Sequence, residues 1–490
     1  MSVETLIKRL QNIMRGDDLA GTVQYLRQMI WMIFLKVYDA KEQIWEIKED
    51  KYTSIIPDKF KWRNWAVDNH DGKALTGEEL IKFVNNELID KLKKLEINEN
   101  TPKRHLIVQS IFADASNFMK DGVKLRQLIN NLNETNFTDS TDAHAFGDIY
   151  EGWLKDLQES KRDGGEFYTP RALTDFIVEK IEPQLGEQIA DFACGTGGFL
   201  ISAWKYLESK VHSPEDLQIC RNSLYGIEKK SFPYSLCLTN LILHGIDEPR
   251  VFYDNSLKRN IREYSDNELF DKIVMNPPYG GTEDTIVQMN FPAEYRASET
   301  ADLFMAVIMY RLKTNGQAGI VLPDGFLFGK EGAKRNLKEK LLNEFNLHTI
   351  LRLPNSVFAP YTSIATNVLF FDKDSDGSRD IWFYRMDMPT GYKHFSKTKP
   401  IKLEHFQPIR DWWFDRKDIV DSEGNYKAKK YTKAELIAGG YDFDLCGFPH
   451  KTEEILEPDV LIKEYFEKKE ILDTNIKRVL SDIMALLEKK

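Results

Sequence analysis

The chain has 490 residues, 42% of them hydrophobic and 29% charged, and a formal net charge of −10. That length exceeds one ordinary domain, and that composition excludes global disorder. The acidic balance excludes a chain that grips nucleic acid by bulk charge alone: either nucleic acid is not the target, or a partner supplies the basic surface.

Residues 1–150 read as an all-α domain. "VETLIKRLQNIM" carries Leu6, Leu10 and Ile13 at helical spacing, and "GTVQYLRQMIWMIFLKVYDAKEQ" is a longer helix, apolar enough to be central. Its apolar run Met29 to Leu35 is too short to span a bilayer and ends at Lys36, so a buried helix is expected, not a membrane span. "ELIDKLKKL" and "GVKLRQLINNLNETNF" continue the helical pattern.

From about residue 165 the pattern changes. Short apolar runs that end in Gly, Asn-Pro or an acidic residue alternate with helical stretches: "QIADFACGTGG", "SLYGIEKK" and "FDKIVMNPPY" read as strand ends. "TADLFMAVIMYRLKT" reads as a helix, "GQAGIVLPDGFLF" as a strand, "KRNLKEKLLNEF" as a helix, and "LHTILRLP" and "ATNVLFFD" as strands. This alternation predicts a mainly parallel, doubly wound α/β sheet over 151–445, with ligands at the carboxyl ends of its strands. Residues 380–445 are less legible, and Trp412, Trp413 and Phe414 are expected in the core rather than an interface. The segment 446–490 reads as a helical tail: Ile462, Tyr465, Leu472, Ile476, Val479, Ile483 and Leu486 follow alternating three- and four-residue steps, with Lys469 breaking one place. Such a seam packs on its own domain or on a partner helix. Cys194, Cys220, Cys237 and Cys446 are too widely spaced for a metal site or a disulfide framework, which fits a reducing cytoplasm, and no metal is expected.

Chemistry concentrates at three strand ends. In "DFACGTGGFL" (Asp191 to Leu200), Gly195, Gly197 and Gly198 form a strand-to-helix turn that lets a ligand approach the main chain, with a helix N-terminus facing it. The spacing is not G-x-G-x-x-G and no Gly-Lys-Ser/Thr follows, so a phosphate cradle is disfavoured. Asp191 suits an ammonium group better than a pyrophosphate. Glu228, at the next strand end, stands where an acidic residue grips two ribose hydroxyls. Asn276, Pro277, Pro278 and Tyr279 follow the apolar strand "KIVM". The two prolines fix the backbone and remove its donors. The result is a ledge of acceptors, the Asn276 side-chain oxygen and the Pro277 carbonyl, matched to the two hydrogens of an amino group. Tyr279 supplies a ring for stacking on a planar base or amide. Each motif alone has a bland reading, a turn or a surface glutamate; their order together does not.

These motifs resemble the modification (methyltransferase) subunits of Type I restriction–modification systems, which methylate adenine N6 in DNA. "LRQMIWMIFLKVYDA" resembles that family's helical N-domain. "FGDIYEGWL" and "GEFYTPRAL" precede the glycine turn as they do there. "NPPYGGTEDTIVQMNFPAEYRASETADLF" matches its long loop, and "GYDFDL" with the closing helix its tail. The resemblance implies a class I S-adenosylmethionine-dependent methyltransferase (Rossmann-like) sheet. It implies that S-adenosylmethionine meets Glu166, Phe167, Tyr168, Thr169, Pro170 and Arg171 at its amino-acid end, with Thr169 foremost. Asp191, Ala193, Gly195, Thr196, Gly197 and Gly198 are its implied turn, Glu228 its ribose ligand, and Asp254 or Asn255 the contact to its adenine. The target adenine, flipped from duplex DNA, falls to Asn276, Pro277, Pro278 and Tyr279, with Phe358 or Phe326 as a second aromatic wall. Implied partners are a specificity (S) subunit that reads sequence, a second copy of the chain in an M2S1 complex, and a restriction (R) subunit.

Glutamine methyltransferases of release factors and guanine-N2 methyltransferases of RNA share the tetrapeptide, and a non-catalytic assembly subunit would keep the fold. "GEFYTPR", the helical N-domain and the Gly280–Thr300 loop weigh against the first two, and the intact ledge against the third.

Overall fold

The computed structural model describes residues 3–68, 72–99, 101–134, 147, 150–152, 154, 168–359, 362, 364–374, 376–396, 398–445, 447 and 458–487. The chain forms two compact units, Met1–Gly447 and Phe448–Lys490.

In the first unit the N-terminal region is helical: Val3–Gly16, Thr22–Lys48, Lys103–Ala113 and Gly122–Asn133 are its longer helices. "ELIDKLKKL" forms a π-helical turn, Val84–Leu88, running into the helix Ile89–Lys93. Every residue from Met29 to Ala40 is buried, Lys36 and Asp39 included, so the Thr22–Lys48 helix is the centre of this region. Trp31, Phe34 and Phe112 pack around it. Arg27 lies 4.6 Å above the Phe232 ring, and Lys41 pairs with Asp247 at 2.5 Å, which ties this helix to the sheet-bearing part of the unit.

That part is one ten-stranded sheet. Its strands are β1 (Ile189–Asp191), β2 (Leu224–Glu228), β3 (Val251–Tyr253), β4 (Phe270–Met275), β5 (Leu312–Pro323), β6 (Asn346–Arg352), β7 (Thr366–Asp372), β8 (Asp380–Arg385), β9 (Ile419–Val420) and β10 (Tyr426–Thr432). The order is β3-β2-β1-β4-β5-β7-β6-β8-β10-β9. β3 through β5 in that order are mutually parallel. β7 runs antiparallel between β5 and β6, while β6 and β8 are parallel. β4 is buried along nearly its whole length, as expected for a central strand covered on both faces by helices.

The expected doubly wound sheet is present, but it is mixed. β7 reverses, and the poorly legible 380–445 stretch extends the sheet through β8 and an antiparallel β9–β10 pair. β5 begins at Leu312, inside the stretch read as helix, and Asp324–Phe328 is a short helix where strand was expected. Trp412 is buried and Trp413 partly so, but Phe414 is 81% exposed, which corrects its placement in the core. No helix among the described residues is long and apolar enough to cross a membrane.

The second unit contains the helix Pro458–Leu487. On it Ile462, Tyr465, Leu472, Ile476 and Val479 are all at least half exposed. The side chains of Ile483 and Leu486 lie outside the described residues, as does Cys446.

Candidate active site

β2, β1 and β4 are neighbours, so their carboxyl ends bring Glu228, Asp191 and Asn276 to one edge of the sheet. The turn after β1 folds over that edge. Gly195 has φ +54° and Gly197 φ +83°, left-handed conformations that favour glycine. Cys194 N–H donates to the Ile227 carbonyl at 3.0 Å. The Glu228 carboxylate clamps the turn, accepting from Gly195 N–H at 2.9 Å and from Lys230 N–H at 2.8 Å. Burial raises the Glu228 carboxyl above its ordinary value, against the pull of these two N–H groups. Asp191 is buried and accepts from Ala193 N–H at 3.1 Å. Burial, with the Glu228 charge adding to it, pushes the Asp191 carboxyl up to about 8. A cation placed beside it would favour its ionised form and draw off its proton.

Asn276 caps β4. Its Nδ2 donates to Thr169 Oγ1 at 3.2 Å, and its Oδ1 is buried without a hydrogen-bond partner. A buried acceptor left unsatisfied costs about 1–3 kcal/mol, so it marks a place where a donor is missing. Pro277 is buried, and Tyr279 is half-buried on the wall of the same pocket.

Of the residues expected here, Tyr168, Thr169, Asp191, Ala193, Gly195, Gly198, Glu228, Asp254, Asn255, Asn276, Pro277, Pro278 and Tyr279 line one pocket. Glu166 and Phe167 lie outside the described residues. Pro170, Arg171, Thr196 and Gly197 are not among the residues that line this pocket. Pro170 caps the helix Arg171–Ile181. Arg171 is drawn away by Glu151, to which its Nε and Nη2 donate, the latter at 2.8 Å. Burial alone would raise the Glu151 carboxyl, yet Arg171 outweighs it and holds it below its ordinary value. A Cβ on Gly198 would stand 2.1 Å from Arg171 Nη1, so the helix start needs glycine for Arg171 to pass beneath it. The Thr196 carbonyl accepts from Asn240 Nδ2 at 3.1 Å, and a Cβ on Gly197 would stand 2.8 Å from Cys237 Sγ. Both residues shape the turn from behind.

The pocket adds residues that were not among those expected at the site: Phe199, Lys229, Ser256, Glu283, Thr300 and Phe304. Glu283 belongs to the long loop after the ledge and pairs with Lys229 at 3.0 Å, closing that loop over the Glu228 side. Phe358 is on the wall; Phe326 is fully buried elsewhere. Glu151, in "FGDIYEGWL", had no signal apart from that stretch preceding the glycine turn.

Residues 141–455 match the family model described as N-6 DNA Methylase, and residues 3–132 match that of the HsdM N-terminal domain. The chain is 45% identical over 470 residues to the Type I restriction enzyme EcoEI methylase subunit of Escherichia coli, covering 95% of this chain and 94% of that one. It is 29% identical to the EcoKI methylase subunit of Escherichia coli K12, over 90% of this chain and 87% of that one. A solved chain from the type I R-M system superimposes with a TM-score of 0.81 at 35% identity, covering 100% of this chain and 98% of that one.

Proposed function

The chain belongs to the N-6 DNA methylase family, as the methylase subunit of a Type I restriction–modification system, and from that membership we propose that its pocket joins S-adenosylmethionine to an adenine flipped out of duplex DNA. Its activity is methylation of adenine N6 in DNA.

The observation that carries the site assignment is the unpartnered, buried Oδ1 of Asn276 beside the proline-fixed backbone of Pro277. Adenine N6 is a poor nucleophile because its lone pair is delocalised into the ring. Asn276 Oδ1 and the Pro277 carbonyl, each accepting one N6–H, localise that pair and aim it. This is positioning with electrostatic stabilisation and no covalent enzyme intermediate. Tyr279, with Phe358 on the wall of the same pocket, replaces stacking lost on flipping, which costs on the order of a few kcal/mol. Asn276 is neutral and no base, so the N6 proton leaves to solvent.

The residues present fit the cofactor. The buried Asp191 carboxyl awaits a cationic amino group, Glu228 faces ribose hydroxyls, and the Gly195 turn admits close approach. Thr169 and Tyr168 hold its amino-acid end, and Asp254 or Asn255 its adenine. Bound there, S-adenosylmethionine supplies an electrophilic methyl on a sulfonium. The chain's acidic balance fits a specificity subunit that reads sequence, two copies of this chain about it in an M2S1 complex, and a restriction subunit that joins them.

Tritiated methyl transfer tests the substrate class: the chain is assayed with and without its specificity subunit on duplex DNA, RNA and release factor. Label in DNA adenine, dependent on the specificity subunit, is expected; label confined to glutamine or RNA overturns the reading.

A further inference from the structure

The stretch from Met388 to Leu403, "MPTGYKHFSKTKPIKL", contains four lysines and a histidine and no acidic residue, in a chain of net charge −10. It leaves the carboxyl end of β8, which is parallel to β6, itself antiparallel to the β7 that flanks β5. It therefore starts on the same edge of the sheet as Asp191, Glu228 and Asn276. It is also docked there: Phe395 N–H donates to Ser356 Oγ at 2.9 Å, two residues from the pocket-lining Phe358. Phe395, Tyr392 and His405 pack as an aromatic base beneath it, with Phe395 stacked on His405 at 5.5 Å.

The charges on this base point outward. Lys393, His394 and Lys399 are exposed and make no ion pair among the described residues; Lys399 lies 5.4 Å from the Tyr392 ring. Lys402 makes an exposed pair with Glu404 at 3.3 Å. The nearest acid upstream, Asp387, is occupied by Arg385 at 2.8 Å and Lys427 at 3.2 Å. β4 and β8 are four strand steps apart in the sheet order, roughly 19 Å at ~4.8 Å per step. A DNA strand leaving a flipped base crosses that distance in about six nucleotides at ~3.4 Å each.

We infer that the Met388–Leu403 loop is the chain's own contact to the DNA phosphate backbone flanking the target adenine, made by Lys393 and Lys399 on the aromatic base of Tyr392 and Phe395. This rests on the adenine-methylation reading and adds to it a surface that binds without reading sequence. Phosphate contacts fix register while base contacts specify.

The test uses the complex of the full chain with its specificity subunit. Duplex binding is measured between about 50 and 200 mM salt for the unsubstituted chain and for Lys393→Gln/Lys399→Gln. Each phosphate contact contributes ~0.9 to the slope of log affinity on log salt. With two lysines lost from each copy of the chain, the double variant should show a slope shallower by roughly 1.8 per copy, about 3.6 for two copies, and an affinity weaker by at least roughly tenfold, on target and scrambled duplexes alike. Cofactor affinity and complex assembly should not change. An unchanged slope overturns the inference, and so does loss of complex assembly in the double variant, which would make the loop a protein contact. An unsubstituted complex that binds duplex but never methylates it strikes the adenine reading instead, leaving the slope comparison to decide the loop.

Discussion

Asn276 Nδ2 donates to Thr169 Oγ1 at 3.2 Å across the pocket, joining the end of β4 to a residue 107 positions earlier in the chain. The bond turns the amide so that its Oδ1 stays free and buried. Thr169 thus orients the acceptor on which the proposed grip depends. Thr169→Val removes the hydroxyl and one net hydrogen bond of about 1 kcal/mol, so kcat should fall roughly fivefold. Thr169→Ser should restore most of it. A Val variant as fast as the unsubstituted enzyme would deny Thr169 this orienting role.

Asp191 carries the pH dependence. Its carboxyl sits at about 8 in the folded chain, far above the ordinary carboxyl value of 3.8. The folded state therefore holds a proton that the unfolded state has released between roughly pH 4 and 8, and stability falls as pH rises through that window. The thermal midpoint should drop between pH 5 and 8, and Asp191→Asn should flatten the drop. A cationic amino group binding there favours the ionised carboxylate, so cofactor binding near pH 7 should release up to about one proton. Calorimetry in buffers of different ionisation enthalpy reads this directly. Equal proton release from the Asn variant would remove Asp191 from the cofactor site.

Glu228 clamps the glycine turn through Gly195 and Lys230 while facing the pocket. Glu228→Gln loses a charged acceptor worth about 1.5–3 kcal/mol, which is roughly ten- to hundredfold in cofactor affinity. Equilibrium binding of S-adenosylmethionine should show that loss, and an unchanged affinity would count against the ribose assignment.

Glu151 supports the site from behind. It neutralises the largely buried Arg171 and accepts from Asn240 Nδ2 at 2.6 Å, the same amide group that bonds the Thr196 carbonyl. Glu151→Gln leaves a guanidinium without its counter-charge, and such losses run to about 3 kcal/mol. Denaturant unfolding should show a fall of that order; a variant of wild-type stability would mean the pair contributes nothing net.

What was legible in the sequence was whatever is local. β1 and β2 end in Asp191 and Glu228, Asn276 directly follows β4, and each end was readable because an apolar run stops there at a polar residue. The central Thr22–Lys48 helix declared itself by unbroken apolarity. Pairing partners were not local and were not legible. The reversal of β7 depends on its register with β5 and β6, and β8 to β10 depend on that sheet already standing. Arg171 lies in a stretch expected to touch the cofactor, yet Glu151, twenty positions earlier, turns it inward. Phe358 and Phe326 looked alike as aromatics, and only the fold puts Phe358 on the pocket wall.

The most direct measurement of the central claim is nucleoside mass spectrometry on duplex DNA treated with S-adenosylmethionine and the assembled complex, carrying either the unsubstituted chain or Asn276→Ala. N6-methyladenine is expected with the unsubstituted chain. With the variant a loss of at least about a hundredfold is expected, as for removal of one preorganised transition-state contact, with S-adenosylmethionine still bound within a few-fold. N6-methyladenine formed at an equal rate by the Asn276→Ala complex would contradict that claim.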